Sequence, residues 1–128
     1  MSLSVEAVRW QSSEWAESQS VPGVRLRVAR LSLAGRAEIA RRVRSLLAEL
    51  EYKAAGESAE DRLEAAVLEA RIDQTYVEWG LLEVSGLEID GAPATVGALV
   101  ERGPESLAQE AARLVRRQCG LTEDERKN

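Results

Sequence analysis

Between Asp61 and Trp79 the chain reads DRLEAAVLEARIDQTYVEW, and wound at 3.6 residues per turn this stretch is apolar on two opposite faces. One face carries Leu63, Val67, Ala70 and Val77. The other, about half a turn round, carries Ala65, Leu68, Ile72, Tyr76 and Trp79. Two polar stripes separate them, Glu64, Arg71 and Glu78 on one side and Arg62, Glu69 and Asp73 on the other. A helix that is apolar on both sides needs cover on both, so it belongs in the middle of the fold, with Val67 and Leu68 both buried. The competing reading leaves one face open for a partner.

The segments on either side supply the cover. Ser32 is placed to cap a helix from about Leu33 to Ala55, whose residues Ile39, Val43, Leu46, Leu47, Leu50 and Ala54 share one side and which stops at Gly56. Ser58 then caps the central helix, with Asp61 three residues on and acids in the first turn, where the helix dipole favours them. The product is an antiparallel helical hairpin with a very short connection. Thr95 can cap a short helix over Val96 to Arg102. Gly103-Pro104-Glu105 opens a last long helix that runs to about Cys119 and closes at Gly120, with Leu107, Ala111, Leu114 and Val115 as its apolar stripe.

The β content is small. VRLRV alternates, Val24, Leu26 and Val28 to one side and Arg25 and Arg27 to the other, as a half-buried strand does. In GLEIDGAPAT the Asp90-Gly91 pair signals a tight hairpin, expected to pair with VRLRV. Before Pro22 the chain is polar and reads as an arm, with a short strand near Ser4 to Trp10 ended by QSSEWAESQS. The expected class is therefore mainly α (α+β): a helical hairpin and a C-terminal helix with a small two-stranded β element. It divides into an arm over 1–20, a mainly helical domain over 21–120 and a polar tail over 121–128.

Composition excludes more than it assigns. The 128 residues fit one domain, and the absence of histidine removes the commonest general base and metal ligand. A single cysteine, Cys119, rules out an internal disulfide and fits a reducing compartment, most simply as a small core hydrophobe. There is neither a phosphate-binding glycine loop nor a nucleophile elbow, and no apolar run long enough to span a membrane. The amino terminus has no export signal, so a soluble cytoplasmic protein is expected. The carboxylate pairs Glu60/Asp61 and Glu88/Asp90 and the tail TEDE have no histidine or cysteine beside them, and solvated surface explains them better than acid–base work. No enzyme activity, cofactor or metal is expected.

What remains is binding. The net charge of −5 argues against general nucleic-acid binding, although Arg25, Arg27, Arg30, Arg36, Arg41, Arg42 and Arg44 are interrupted only by Glu38. The acidic run that follows, Glu49 to Glu69, is expected to compensate these arginines across the hairpin. Trp10 and Trp15 are either anchors for a partner or side chains folded back on the same molecule. With Arg25, Arg27, Arg41 and Arg44 they are the candidate protein-binding residues.

The phrases PGVRLRVARLS, YVEWGLLEVSGLEIDGAPAT, ERGPESL and CGLTEDERKN, in this order, resemble tail assembly chaperones of long-tailed bacteriophages and prophages, over roughly Val21 to Asn128. The resemblance implies a mostly helical, non-enzymatic protein of the bacterial host cytosol that binds the tape measure protein, with the tail tube protein and self-association as further candidate partners. It carries over no individual residue. It also implies a longer product made by ribosomal slippage, since Lys127-Asn128 can be encoded by a slippery run and the capping box Thr122 to Glu125 begins a helix; the simpler reading of LTEDERKN is an ordinary polar tail. The rival classes are a nucleic-acid-binding adaptor using the Arg25 to Arg44 surface, and a tail completion protein that stays in the virion.

Overall fold

The computed structural model describes residues 6–120; the capping box at Thr122 and the Lys127-Asn128 pair lie outside them. The described chain is mainly helical with a small antiparallel sheet. Its elements run β1 (Ser13–Glu17), β2 (Arg25–Ala29), α1 (Leu33–Ala54), α2 (Ala59–Gly80), β3 (Leu81–Ser85), β4 (Glu88–Ile89), β5 (Ala92–Pro93), α3 (Val96–Arg102) and α4 (Glu105–Gln118).

The caps expected from sequence set the helix starts. Ser32 Oγ accepts the Gly35 amide and Ser58 Oγ the Asp61 amide, each at 3.0 Å, and Thr95 Oγ1 accepts that of Ala98. Each satisfies an amide that the first helical turn leaves without a partner. The helices α1 and α2 form the antiparallel hairpin, joined near its tip by Lys53 and Asp61 at 3.7 Å. At the base, a Cβ placed on Gly35 would meet the Trp79 ring at 2.9 Å, so the two helices touch there without space for a larger residue.

The sheet is larger than the sequence suggested. Strands β1, β2 and β3 form an antiparallel sheet in that order, while β4 and β5 make a separate hairpin. The Asp90-Gly91 signal gives the expected turn, both residues at positive φ (52° and 82°) as a two-residue hairpin of this type requires. Yet this hairpin does not pair with β2. The neighbour of β2 is LLEVS, which leaves α2 directly at Gly80 and presents Leu81 and Val84 to the core. The amino-terminal region departs further: Glu6 to Trp10 is not a strand, and the polar run expected to end one contains β1. Its polarity suits an edge strand, because the outward residues Ser13, Trp15 and Glu17 face the arginine side of β2.

The core lies between the sheet, the base of the hairpin and α4. Leu26, Val28, Ile39, Ile72, Leu99, Leu107 and Val115 are buried there, with Cys119 among them. The end of α2 lies so close to α4 that a Cβ on Gly80 would stand 2.5 Å from Val115 Cγ1. Asp73 of α2 and Arg116 of α4 close the same contact at 2.8 Å.

One sequence expectation, that Val67 is buried like Leu68, fails because of the hairpin's length. Helix α2 has 22 residues and α4 only 14, so α4 covers the second apolar face at Val77 but not further toward the tip. Leu68 is 3% exposed, whereas Val67 is 51% and Leu63 70% exposed. Charge compensation across the hairpin is partial: Arg44 of α1 and Glu69 of α2 line one surface depression, and Lys53 pairs with Asp61. Antiparallel geometry sets the acidic end of α1, with Glu49 and Glu51, beside the acidic start of α2, with Glu60, Asp61 and Glu64. Of the arginines of α1, Arg36 stands at the other end, while Arg41, Arg42 and Arg44 lie near the middle of the helix.

Candidate protein-binding site

Alternation in β2 points Leu26 and Val28 inward and Arg25 and Arg27 outward. Residues directly opposite in an antiparallel pair share a face. On one side of β2, Trp15 lies opposite Arg27 and Glu17 opposite Arg25; on the other, Glu83 lies opposite Arg27 and Ser85 opposite Arg25. The outer face of the sheet thus collects one tryptophan, two arginines and two carboxylates. The Arg25 guanidinium lies 4.8 Å from the centroid of the Trp15 ring and that of Arg27 lies 6.0 Å away, both within reach of a cation–π contact. Arg27 also donates to Glu83 Oε1 and to Ser13 Oγ, each at 3.3 Å. Trp15, at 39% exposure, keeps part of its ring in solvent.

A second tryptophan–arginine pair adjoins the start of β1. Arg30 lies 5.4 Å from the Trp10 ring and pairs with Glu14 at 3.1 Å, and Glu14 in turn accepts from Gln118 of α4. Trp10 is 67% exposed. Arg30 lies outside the alternating VRLRV run that marks Arg25 and Arg27, and its place one residue beyond β2 makes it the partner of what precedes β1, its amide donating to the Ser12 carbonyl at 2.8 Å. Of the six predicted residues the structure brings together Trp15, Arg25 and Arg27. Trp10 belongs to the neighbouring pair.

Arg41 and Arg44 lie on α1, and no hydrogen bond or ion pair among the described residues joins them to the sheet. Arg41 is held by Glu38 of its own helix, Nη2 to Oε1 at 2.8 Å, and Arg42 binds the same carboxylate at 2.7 Å. Hydrogen bonds from Arg41 and then Arg42 pull the Glu38 carboxyl down to about 2, so this local pair persists across the ordinary pH range.

The residue that positions the site escaped the sequence reading. Glu110 sits on the buried face of α4 and is itself buried. Its carboxylate accepts from Ser18 Oγ at 2.6 Å, from Ser20 Oγ at 2.7 Å, and from the amides of Gln19 at 2.6 Å and Ser20 at 3.5 Å. Burial pushes this carboxyl up, but the hydrogen bonds from Ser18, Ser20 and the two amides outweigh it, and the net shift is downward. The clamp fixes the β1–β2 turn to α4 and so holds Trp15 beside Arg25. One signal was available: Glu110 falls on the apolar stripe one turn from both Leu107 and Leu114, where an unpaired acid would be costly.

Glu110 offers little to acid–base chemistry while four donors surround it. The Cys119 thiol is buried and pushed up by that burial, with Arg36 opposing, so it is a poor nucleophile. Among the described residues there is no group of three or more His, Cys, Asp or Glu side chains placed to hold a metal ion, and no helix long and apolar enough to cross a membrane. Comparison with protein-family models, with curated proteins and with solved structures gives no match to this chain.

Proposed function

We propose that this chain is a non-enzymatic assembly chaperone of the host cytosol, of the phage tail type that its sequence resembles, and that it binds the tape measure protein through the outer face of its sheet. The observation that carries the reading is the exposed Trp15 under the Arg25 guanidinium. Tryptophan and arginine dominate the energetics of protein interfaces, and a ring already braced by its own strand and by a cation loses little side-chain freedom on binding. Glu110 supports the same reading, since it fixes the turn that carries β1 to the helical body.

A nucleic-acid adaptor fits this face less well. Arg27 is paired with Glu83 and Arg30 with Glu14, and Glu17 stands opposite Arg25, so the arginines are locally balanced rather than free for phosphates. The test is co-purification of the tape measure protein with the parent chain and with Trp15→Ala and Arg25→Ala. Each variant should weaken capture by tenfold or more, on the order of 2 kcal/mol for an interface anchor, while the far-ultraviolet circular dichroism stays unchanged. Capture at parental strength by both variants would show that the sheet face is not the binding surface.

A further inference from the structure

The apolar stripe of α2 that α4 leaves uncovered has the pattern of an interface. Leu63, Val67 and Ala70 follow one another at spacings of four and three, and Gln74 and Val77 continue the row into a shallow groove. That groove lies between α2, α3 and α4, and Val100 and Ala108 add apolar surface to it. Spacings of this kind present a straight seam to a second helix. Tail and base of the seam differ: toward the tip apolar side chains project into solvent, and toward the base the helices α3 and α4 flank a depression.

We propose that this seam is a self-association face, on which α2 of a second copy packs antiparallel, each Leu63 entering the groove beside Gln74 and Val77 of the other. Charge selects both the occupant and its direction. Beside the seam stand Glu64 and Arg71, one turn apart on each side of its midpoint, and neither forms an ion pair among the described residues. When two such helices run antiparallel with Val67 against Ala70, Glu64 of each copy faces Arg71 of the other, and the pair occurs twice by symmetry. A parallel arrangement offers no such pairing. It would also bring the α3–α4 sides of both copies together at one end, whereas the antiparallel one sets each projecting tip beside the other copy's groove.

The dimer gives α2 the cover on both faces that its sequence demands, α1 on one side and the second α2 on the other. One helix pair and a groove make a small interface, so association is expected at roughly micromolar concentration rather than as a permanent dimer. This inference is independent of the sheet face, which lies on other elements and stays open in the dimer.

Sedimentation equilibrium of the full chain over a wide concentration range tests it. The mass should rise from 14.0 kDa toward twice that value. Val67→Glu, at a half-exposed position, should stay monomeric with an unchanged helical signal. Glu64→Arg and Arg71→Glu should each weaken the dimer about tenfold through two like-charge contacts, and the double variant E64R/R71E should restore it. A parent that remains monomeric well above micromolar concentration overturns the proposal. So does a dimer indifferent to V67E, or one whose charge variants are not rescued by the swap.

Discussion

Glu110 shows how one residue can decide the placement of a whole segment. Its carboxylate stands among donors from three consecutive residues, Ser18 to Ser20, and burial makes each bond count. Glu110→Gln replaces an acceptor oxygen by an amide that meets a donor, and leaves a buried group without a partner. The expected loss is about 2 kcal/mol in a urea titration followed by circular dichroism. The pH dependence has a definite sign. A carboxyl whose folded pKa lies below its ordinary value of 4.5 contributes stability above that value, and the contribution is lost as the pH falls through the lowered one. The parent should therefore lose stability more steeply than E110Q when both are titrated downward from pH 5. Parallel acid limbs for the two proteins would mean that the clamp is not ionic.

At the scale of elements, local chemistry was legible and partnership was not. Ser32, Ser58 and Thr95 announce three helices because a cap acts within a single turn. Asp90-Gly91 announces its hairpin for the same reason. The partner of β2 could not be read in this way, because Gly80 marks the break before LLEVS but nothing local says which strand that segment meets. Strand β1 hid in a serine- and glutamate-rich run because the stabilising groups, Arg25, Arg27 and Glu110, lie elsewhere in the sequence. For the site, the alternation in VRLRV gave the two arginines and composition gave the tryptophans, but their stacking follows from a register that only the folded chain sets. Helix α2 carries the measurable consequence. Leu68→Ala should cost 2–4 kcal/mol, on the order found for buried leucines, and Val67→Ala well under 1 kcal/mol in the monomer. A large loss at Val67 in a dilute sample would place cover over the α2 seam within the single chain.

Across the whole molecule, the sheet is assembled from both sides of the helical hairpin. Strands β1 and β2 precede it and β3 follows it, so Arg25 pairs with Ser85 only after everything between them has been brought back on itself. Closing so long a loop as a flexible chain is slow, but two capped helices joined by a few residues form quickly from local contacts and return Leu81 to the neighbourhood of Val28. The hairpin thereby acts as the closing device for the sheet. Ser58→Ala, which removes a cap worth about 1 kcal/mol, should slow refolding about fivefold in stopped-flow measurements, whereas E110Q should mainly speed unfolding. Equal partition of both effects between the two rates would contradict this order. The same order governs the nascent chain as it leaves the ribosome. Strands β1 and β2 emerge as a two-stranded ribbon, marginal by itself, and the free edge of β2 has no partner until translation has passed Ser85. Until then the arginines of that strand are its protection, since a charged edge is a poor template for the strands of neighbouring chains.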